Sequence, residues 1–203
     1  MKEKPMKYWM QTFTRQVIDL ENPTPDSVNI IDIAHALSMT CRFGGHSRSF
    51  YSVAEHSLLV EKLGRENQEG GSSTQDPKLA MALLLHDSAE AYIGDIITTL
   101  KAMLFPTIHE LENRWLAAIQ GRFDLETTLT NLDPIVKEAD LLALSIEAKK
   151  LLEPHSQWNA VFKDPTDDQM RKYLIMGWPP ERAEREFLSR FTTINKVLKQ
   201  ASE

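Results

Sequence analysis

Apolar residues recur at helical spacing along most of this chain, and no stretch alternates apolar and polar residues for long enough to indicate a sheet. The clearest stripe lies near the C-terminus, where Phe187, Phe191, Ile194 and Leu198 follow one another at intervals of three and four residues. The pattern therefore predicts an all-α fold, a compact helical bundle in which this last stripe packs as core.

Capping residues and prolines indicate where several helices begin. An aspartate followed by a proline occurs at Asp76-Pro77 and again at Asp133-Pro134, which is typical of an N-cap and a first helical residue. Pro179-Pro180 predicts the start of the last helix. The predicted helices are residues 30–39, with Asp26 or Ser27 near the start, then about 49–63, 76–91, 106–123 and 133–152, and the helix after residue 179.

The N-terminal segment is the exception to the helical pattern. Residues 13–25 predict either a short strand pair or an extended arm that ends in a turn. Residues 70–74, Gly-Gly-Ser-Ser-Thr, are typical of an exposed loop within a domain. We therefore expect one domain over residues 1–203, with an N-terminal arm (1–29), a core (about 31–150) and a C-terminal helical extension (151–203).

Composition narrows the classes of function. The 203 residues are 42% hydrophobic and 26% charged, as in a globular protein, and the apolar run 79–85 is too short to span a membrane. The single cysteine, Cys41, and the lack of a secretory signal predict a cytoplasmic protein. With 23 basic and 29 acidic residues the net charge is −6, so a nucleic-acid polymer is not an expected partner. An anionic substrate would need a metal ion or a few placed cations.

A His-Asp pair ends the most apolar run of the chain. His86 and Asp87 follow directly after Leu83-Leu84-Leu85, and Glu90 comes four residues after His86. Positions i and i+4 of a helix share a face, so we expect His86 and Glu90 to project together. Because a buried carboxylate is costly without a neutralising partner, this arrangement predicts a cation.

Two more polar residues occupy positions where a core residue is expected. His56 lies between Val53 and Val60 on the apolar stripe of its helix, and Asp140 lies between Val136 and Ala143. Each alone is more typical of a hydrogen-bonded core residue or an ion-pair partner than of a ligand. Together with His86 and Asp87 they form a set of two imidazoles and two carboxylates, which suits a divalent metal ion with open positions.

This set resembles the signature of the HD-superfamily metal-dependent phosphohydrolases, a histidine, a His-Asp pair and a distant aspartate. The resemblance covers residues 31 to 150. The segments at Arg42-Phe43, Ser52 to Ser57, His86 to Glu90 and Gly94-Asp95-Ile96 are similar to those of the bacterial 5′-deoxynucleotidases. The segment from Arg42 to Ser57 also resembles that of phage-type dATP triphosphohydrolases.

The resemblance implies a role for each matching residue. It implies that the metal ligands are His56, His86, Asp87 and Asp140, and that Glu90 and Asp95 act in catalysis. It also implies that Arg42, Phe43 and Lys101 bind the substrate. This chain departs from the family pattern before Lys101. Its sequence there is Ile97-Thr98-Thr99-Leu100, without the prolines that relatives often carry. The implied fold is an HD-type bundle, and the implied cofactor is a divalent ion (Co²⁺, Mn²⁺, Zn²⁺, Fe²⁺ or Mg²⁺).

The expected activity is hydrolysis of a phosphate ester or anhydride bond in a small nucleotide by a metal-activated water. The substrates expected from the resemblance are deoxynucleoside 5′-monophosphates or deoxynucleoside triphosphates, and relatives are often homodimers or larger homo-oligomers. The main alternative is a catalytically silent HD domain that binds a nucleotide or regulates a partner. A di-iron HD oxygenase is a third possibility, but it needs further inward-facing ligands.

Overall fold

The computed structural model describes residues 6–67, 76–160 and 164–201, without the side chains of residues 126–133 and 159–160. In this described part of the chain the fold is all-α apart from one hairpin, which confirms the predicted fold class. Within the described residues the helices are α1 (Ile30–Met39), α2 (Val53–Glu66), α3 (Pro77–Leu85), α4 (Glu90–Ile93), α5 (Thr98–Met103), α6 (Thr107–Phe123), α7 (Glu126–Leu151), α8 (Asp167–Lys172) and α9 (Pro180–Ala201). Short 3-10 turns span Pro25–Ser27, Arg42–Gly45 and Ser156–Ala160.

The N-terminal segment forms an antiparallel strand pair, one of the two predicted alternatives, but its first strand lies before the predicted range of residues 13–25. Strand β1 (Trp9–Gln11) pairs with β2 (Val17–Asp19), and Met10 lies opposite Ile18. Ile18 is buried and Met10 packs against the same core, so the hairpin covers one side of the helices with alternate residues.

Helix α1 has the predicted bounds, residues 30–39, and Asn29 is its N-cap because its side chain accepts the Ile31 amide. Two other predicted helix starts were wrong. Helix α2 begins at Val53 and not at residue 49, because Ser52 has an extended backbone and caps the helix by accepting the Glu55 amide. Helix α7 begins at Glu126, eight residues before Pro134, so Pro134 lies inside the helix and does not open it. The predicted loop at residues 70–74 lies outside the described residues.

Helix α3 is the central helix of the bundle. Its residues from Leu79 to Leu85 are all buried, because the helix packs against α2, α7 and α9. Met81 and Leu84 belong to a hydrophobic cluster with α1, α6 and α9, whereas Leu83 belongs to a second cluster with α2 and α7. The residues that follow Leu85 therefore begin next to the buried core.

The predicted C-terminal stripe is confirmed as core. On α9, Phe187, Phe191 and Ile194 are buried, and Leu198 packs against the same cluster. Helix α9 contacts α1, α2 and α3, so it shares a hydrophobic core with the helices of residues 31–150. Among the described residues, no helix combines the length and the apolarity that crossing a membrane requires.

Replacement of Phe187 by alanine should strongly destabilise the fold. Phe187 is fully buried, and deletion of such an aromatic side chain leaves a cavity that costs about 3–5 kcal/mol. Urea unfolding followed by circular dichroism measures the loss. Val197→Ala is the matched control on α9, because Val197 is 47% exposed and its replacement should change stability by about 0.5 kcal/mol or less. Equal losses from both variants would contradict the placement of α9.

Candidate metal centre

His56 lies in the first turn of α2 and is completely buried. The N-cap Ser52 sets its position, because the Ser52 carbonyl accepts the His56 amide while the Ser52 hydroxyl accepts that of Glu55. Gly64 lies near the C-terminal end of α2, and a side-chain carbon at this position would overlap the buried Leu83 of α3. The two helices therefore approach each other closely at the C-terminal end of α2. The two helices that carry the histidines are thus held in direct contact.

His86 and Asp87 lie in a tight turn, not within a regular helix. Helix α3 ends at Leu85, and the amides of Ser88 and Glu90 donate to carbonyls three residues back. The predicted helix over 76–91 is therefore wrong at its C-terminal end, although Asp76 is its N-cap as expected. The His86 Nδ1 lies 2.9 Å from the Leu83 carbonyl oxygen. Since a carbonyl only accepts, Nδ1 carries the proton and Nε2 is left for a ligand.

The side chains of His56, His86 and Asp140 converge from α2, the turn after α3, and α7. The His56 Nε2 lies 3.2 Å from the His86 Nε2 and 3.2 Å from the Asp140 Oδ1. The Asp87 Oδ2 lies 3.1 Å from the His86 Nε2 and 3.3 Å from the His56 Nε2. The structure therefore brings together all four residues that the resemblance implies as ligands.

These distances match the chemistry of a metal-binding set. Ligand atoms about 2.1 Å from one tetrahedral ion lie about 3.4 Å apart. In addition, two neutral imidazole lone pairs that face each other at 3.2 Å repel one another unless a cation lies between them. The Asp140 side chain is 37% exposed, so one side of the cluster is open to solvent and could admit water or a substrate. His56, His86 and Asp140, with Asp87 beside them, could hold a divalent metal ion.

Glu147 is a site residue that sequence reasoning missed. Its carboxylate is fully buried and contacts three side chains: the His56 Nδ1 at 2.7 Å, the Tyr51 hydroxyl at 2.9 Å and the Arg42 Nε at 3.2 Å. Its spacing from Asp140 could have indicated it. Glu147 follows Asp140 by seven residues, which is two helical turns, so both lie on the same face of α7.

Arg42 is buried beside the ligands. It begins the turn Arg42–Gly45, and its NH1 lies 3.3 Å from the Asp87 Oδ2 while its Nε faces Glu147. Two carboxylates, those of Asp87 and Glu147, draw this loop arginine inward. Phe43 lies next to it in a left-handed backbone conformation, with the Arg42 guanidinium carbon 5.8 Å from its ring centroid.

Glu90 and Lys101 contact each other near the cluster. The Lys101 Nζ lies 3.3 Å from the Glu90 Oε1 and 2.6 Å from the Glu112 Oε1, so the ammonium bridges two carboxylates. The second oxygen of Glu90, Oε2, is buried and has no hydrogen-bond partner in the protein. Burial, together with the charges of Asp87 and Asp95, raises the pKa of Glu90 well above its ordinary value, although Lys101 and Arg42 act in the opposite direction.

Asp95 follows the glycine that ends α4. Gly94 has φ +81° and ψ 161°, a backbone conformation that only glycine adopts readily, and it turns the chain so that Asp95 is partly buried. Burial raises the pKa of the Asp95 carboxyl, while the charges of Arg42 and Lys101 oppose the increase. Asp95 therefore lies within electrostatic range of the cluster.

The metal-free cluster carries opposing charges that stabilise one another. Burial and the Arg42 charge lower the pKa of His56, but Glu147, Asp140 and Asp87 outweigh both and raise it well above its ordinary value. Burial raises the pKa of Asp87, but His86 and His56 overcome this and hold it well below its usual range. The carboxylates of this cluster and the buried imidazole of His56 thus stabilise each other's charged forms.

Comparisons with known proteins reveal relatives over nearly the whole chain. A protein of Rhodobacter capsulatus named only as uncharacterised is 34% identical over 195 residues, which cover 94% of this chain and 97% of the relative. The protein of Escherichia coli K12 named "Uncharacterized protein YfdR" is 30% identical over 194 residues, covering 95% of this chain and 99% of the relative. No family model matches the chain.

Replacement of Asp140 by asparagine should weaken metal binding by at least about tenfold, since it removes one anionic ligand without changing side-chain volume. Titration of the metal-free protein with Co²⁺, followed by visible absorption, measures the affinity. Glu138→Asn is the matched control, because Glu138 lies two residues earlier on α7 and is exposed. Unchanged affinity in Asp140→Asn would remove Asp140 from the ligand set.

Proposed function

We propose that this chain, which belongs to the same family as YfdR of Escherichia coli and its Rhodobacter capsulatus relative, is a metal-dependent phosphohydrolase of the HD type. The observation that supports the proposal best is the four-residue cluster with a free, buried carboxylate oxygen of Glu90 beside it. A site that only binds a metal or a nucleotide needs no such oxygen.

In this proposal His56, His86, Asp87 and Asp140 hold a divalent ion. When bound, the ion lowers the pKa of a coordinated water toward about 7 and neutralises a phosphoryl oxygen. The partly exposed side of the cluster, at Asp140, is where water and a phosphate group would enter.

Glu90 is the proposed general base. Lys101 binds its Oε1, so the carboxylate is held in one orientation while Oε2 stays free to accept a proton from the attacking water. A pKa raised by burial makes Glu90 a stronger base than an exposed glutamate. Asp95, whose pKa is also raised by burial, is the residue proposed to act on the leaving oxygen.

The local cations would make the site suitable for an anionic substrate in a protein of net charge −6. Arg42 remains the proposed phosphate contact, although two of its nitrogens already face Asp87 and Glu147. Lys101 bridges Glu90 and Glu112, so any contact with phosphate would compete with these ion pairs. Phe43 is the proposed contact for the nucleoside. The proposed substrates are deoxynucleoside 5′-monophosphates or deoxynucleoside triphosphates.

A substrate panel tests the proposal. Purified protein is incubated with nucleoside and deoxynucleoside mono- and triphosphates, each with Co²⁺, Mn²⁺, Zn²⁺, Fe²⁺ or Mg²⁺, and products are separated by chromatography. We expect metal-dependent release of a nucleoside from a monophosphate, or of a dephosphorylated product from a triphosphate. Tight metal binding without turnover of any nucleotide would indicate a silent binding domain instead.

Replacement of Glu90 by glutamine should separate turnover from metal binding. Glutamine keeps the size of the side chain but cannot accept the proton, so kcat should fall by about 100-fold or more while metal content stays near that of the wild type. Steady-state kinetics and elemental analysis measure the two quantities. Glu110→Gln is the control, because the Glu110 side chain on α6 is 61% exposed. Parallel loss of metal and turnover would make Glu90 a ligand and not a base.

A further inference from the structure

The buried carboxylate of Glu147 joins two of the proposed ligands through separate contacts. One oxygen, Oε1, contacts the His56 ring, and the other, Oε2, pairs with Arg42, which in turn contacts Asp87. We infer that Glu147 is a positioning residue that orients His56 and Asp87 for metal binding. The inference rests on the proposed metal site and adds a residue that the resemblance does not supply.

The first contact fixes which nitrogen of His56 can bind a metal. The His56 Nδ1 lies 2.7 Å from the Glu147 Oε1, and an ionised carboxylate can only accept a hydrogen bond, so Nδ1 carries the proton. The Nε2 then presents its lone pair toward His86 and Asp140. A histidine ligand whose other nitrogen donates to a carboxylate is oriented and made more basic by that bond.

The two histidines of the cluster are oriented by different kinds of acceptor. The Nδ1 of His86 donates to the backbone carbonyl of Leu83, which no side-chain substitution removes. The Nδ1 of His56 depends on a side chain, Glu147, that comes from another helix. The orientation of His56 can therefore be changed by one substitution without altering the ligand itself.

The second contact extends the effect to Asp87. The Arg42 Nε lies 3.2 Å from the Glu147 Oε2, and its NH1 lies 3.3 Å from the Asp87 Oδ2. Because a fully buried charge is costly without partners, Glu147 requires Arg42 there, and Arg42 is then held where it can restrain Asp87. The Tyr51 hydroxyl donates to the Glu147 Oε1 at 2.9 Å and completes the set of contacts.

Glu55 offers a matched control for the loss of a buried carboxylate. It precedes His56 on α2, and its oxygens accept the amides of Met176, Gly177 and Trp178 at 2.8, 3.1 and 2.8 Å. These bonds attach the segment before α9 to α2 and involve no ligand. Glu55→Gln thus removes a buried charge whose hydrogen bonds hold two segments of the fold together. Glu147→Gln removes a buried charge that contacts the His56 ring.

The test compares Co²⁺ binding by the metal-free wild type, Glu147→Gln and Glu55→Gln. Visible absorption gives the dissociation constant and the ligand-field spectrum, and circular dichroism gives the thermal midpoint of each metal-free variant. We expect Glu147→Gln to weaken Co²⁺ binding by about 10- to 100-fold and to change the spectrum. Glu55→Gln should lower the thermal midpoint but keep the affinity within about threefold of the wild type.

Each other outcome has a definite meaning. Equal Co²⁺ affinity and spectrum in the wild type and Glu147→Gln would overturn the inference alone, whereas a wild type that does not bind Co²⁺ would overturn the proposed metal site with it. Equal losses in Glu55→Gln and Glu147→Gln would reduce Glu147 to a structural role. If Glu147→Gln does not fold, Glu147→Asp, which keeps the charge but shortens the reach, should still weaken binding beyond Glu55→Gln, and failure to do so would refute the inference.

Discussion

The mutual repulsion of polar ligand atoms in the core is the constraint on which the rest of the structure depends. The Nε2 atoms of His56 and His86 face each other at 3.2 Å, and the carboxylates of Asp87 and Asp140 approach the same point. Such a cluster is stable only with positive charge among its members, supplied by protons or by a metal ion. Because these groups are largely removed from water, the cluster favours a bound cation.

The helical bundle provides the rigidity that this cluster requires. Helix α3 is buried from Leu79 to Leu85, so the turn at His86-Asp87 is anchored in the core, and both α2 and α7 pack against this helix. The C-terminal part of the chain contributes as well, because the amides of residues 176–178 bind Glu55 and Arg190 of α9 pairs with Glu61. The same helix, α2, therefore carries both a ligand and the attachment of the C-terminal segment.

Local sequence patterns predicted much of the fold and the four residues that cluster in the core, for identifiable physical reasons. Asp76-Pro77 caps α3 as expected, and the stripe from Phe187 to Ile194 is buried, because capping and helical spacing depend on neighbouring residues only. The four clustered residues could be singled out from the sequence because a histidine or aspartate on an apolar helix face requires a partner. The end of α3 at Leu85 could not be predicted. The backbone amides after it donate to carbonyls three residues back in place of four, and no sequence pattern indicates this change.

Contacts between distant segments account for what the sequence analysis did not predict. The burial of Arg42 depends on Asp87 and Glu147, which lie 45 and 105 positions further along the chain. The ion pair of Lys101 with Glu112 likewise depends on the way α5 and α6 are placed. Glu147 itself looks like an ordinary glutamate of a long helix until its neighbours are known. Long-range pairing of this kind requires the tertiary structure.

Anomalous diffraction tests the central claim, that this cluster holds a divalent ion, most directly. Crystals of the protein grown with Co²⁺ would be measured on both sides of the cobalt absorption edge. The account predicts one strong peak between the His56 and His86 Nε2 atoms, about 2.0–2.2 Å from each, with carboxylate oxygens of Asp87 and Asp140 at similar distances. A peak elsewhere in the molecule, or none at this cluster in a crystal that contains cobalt, would contradict it.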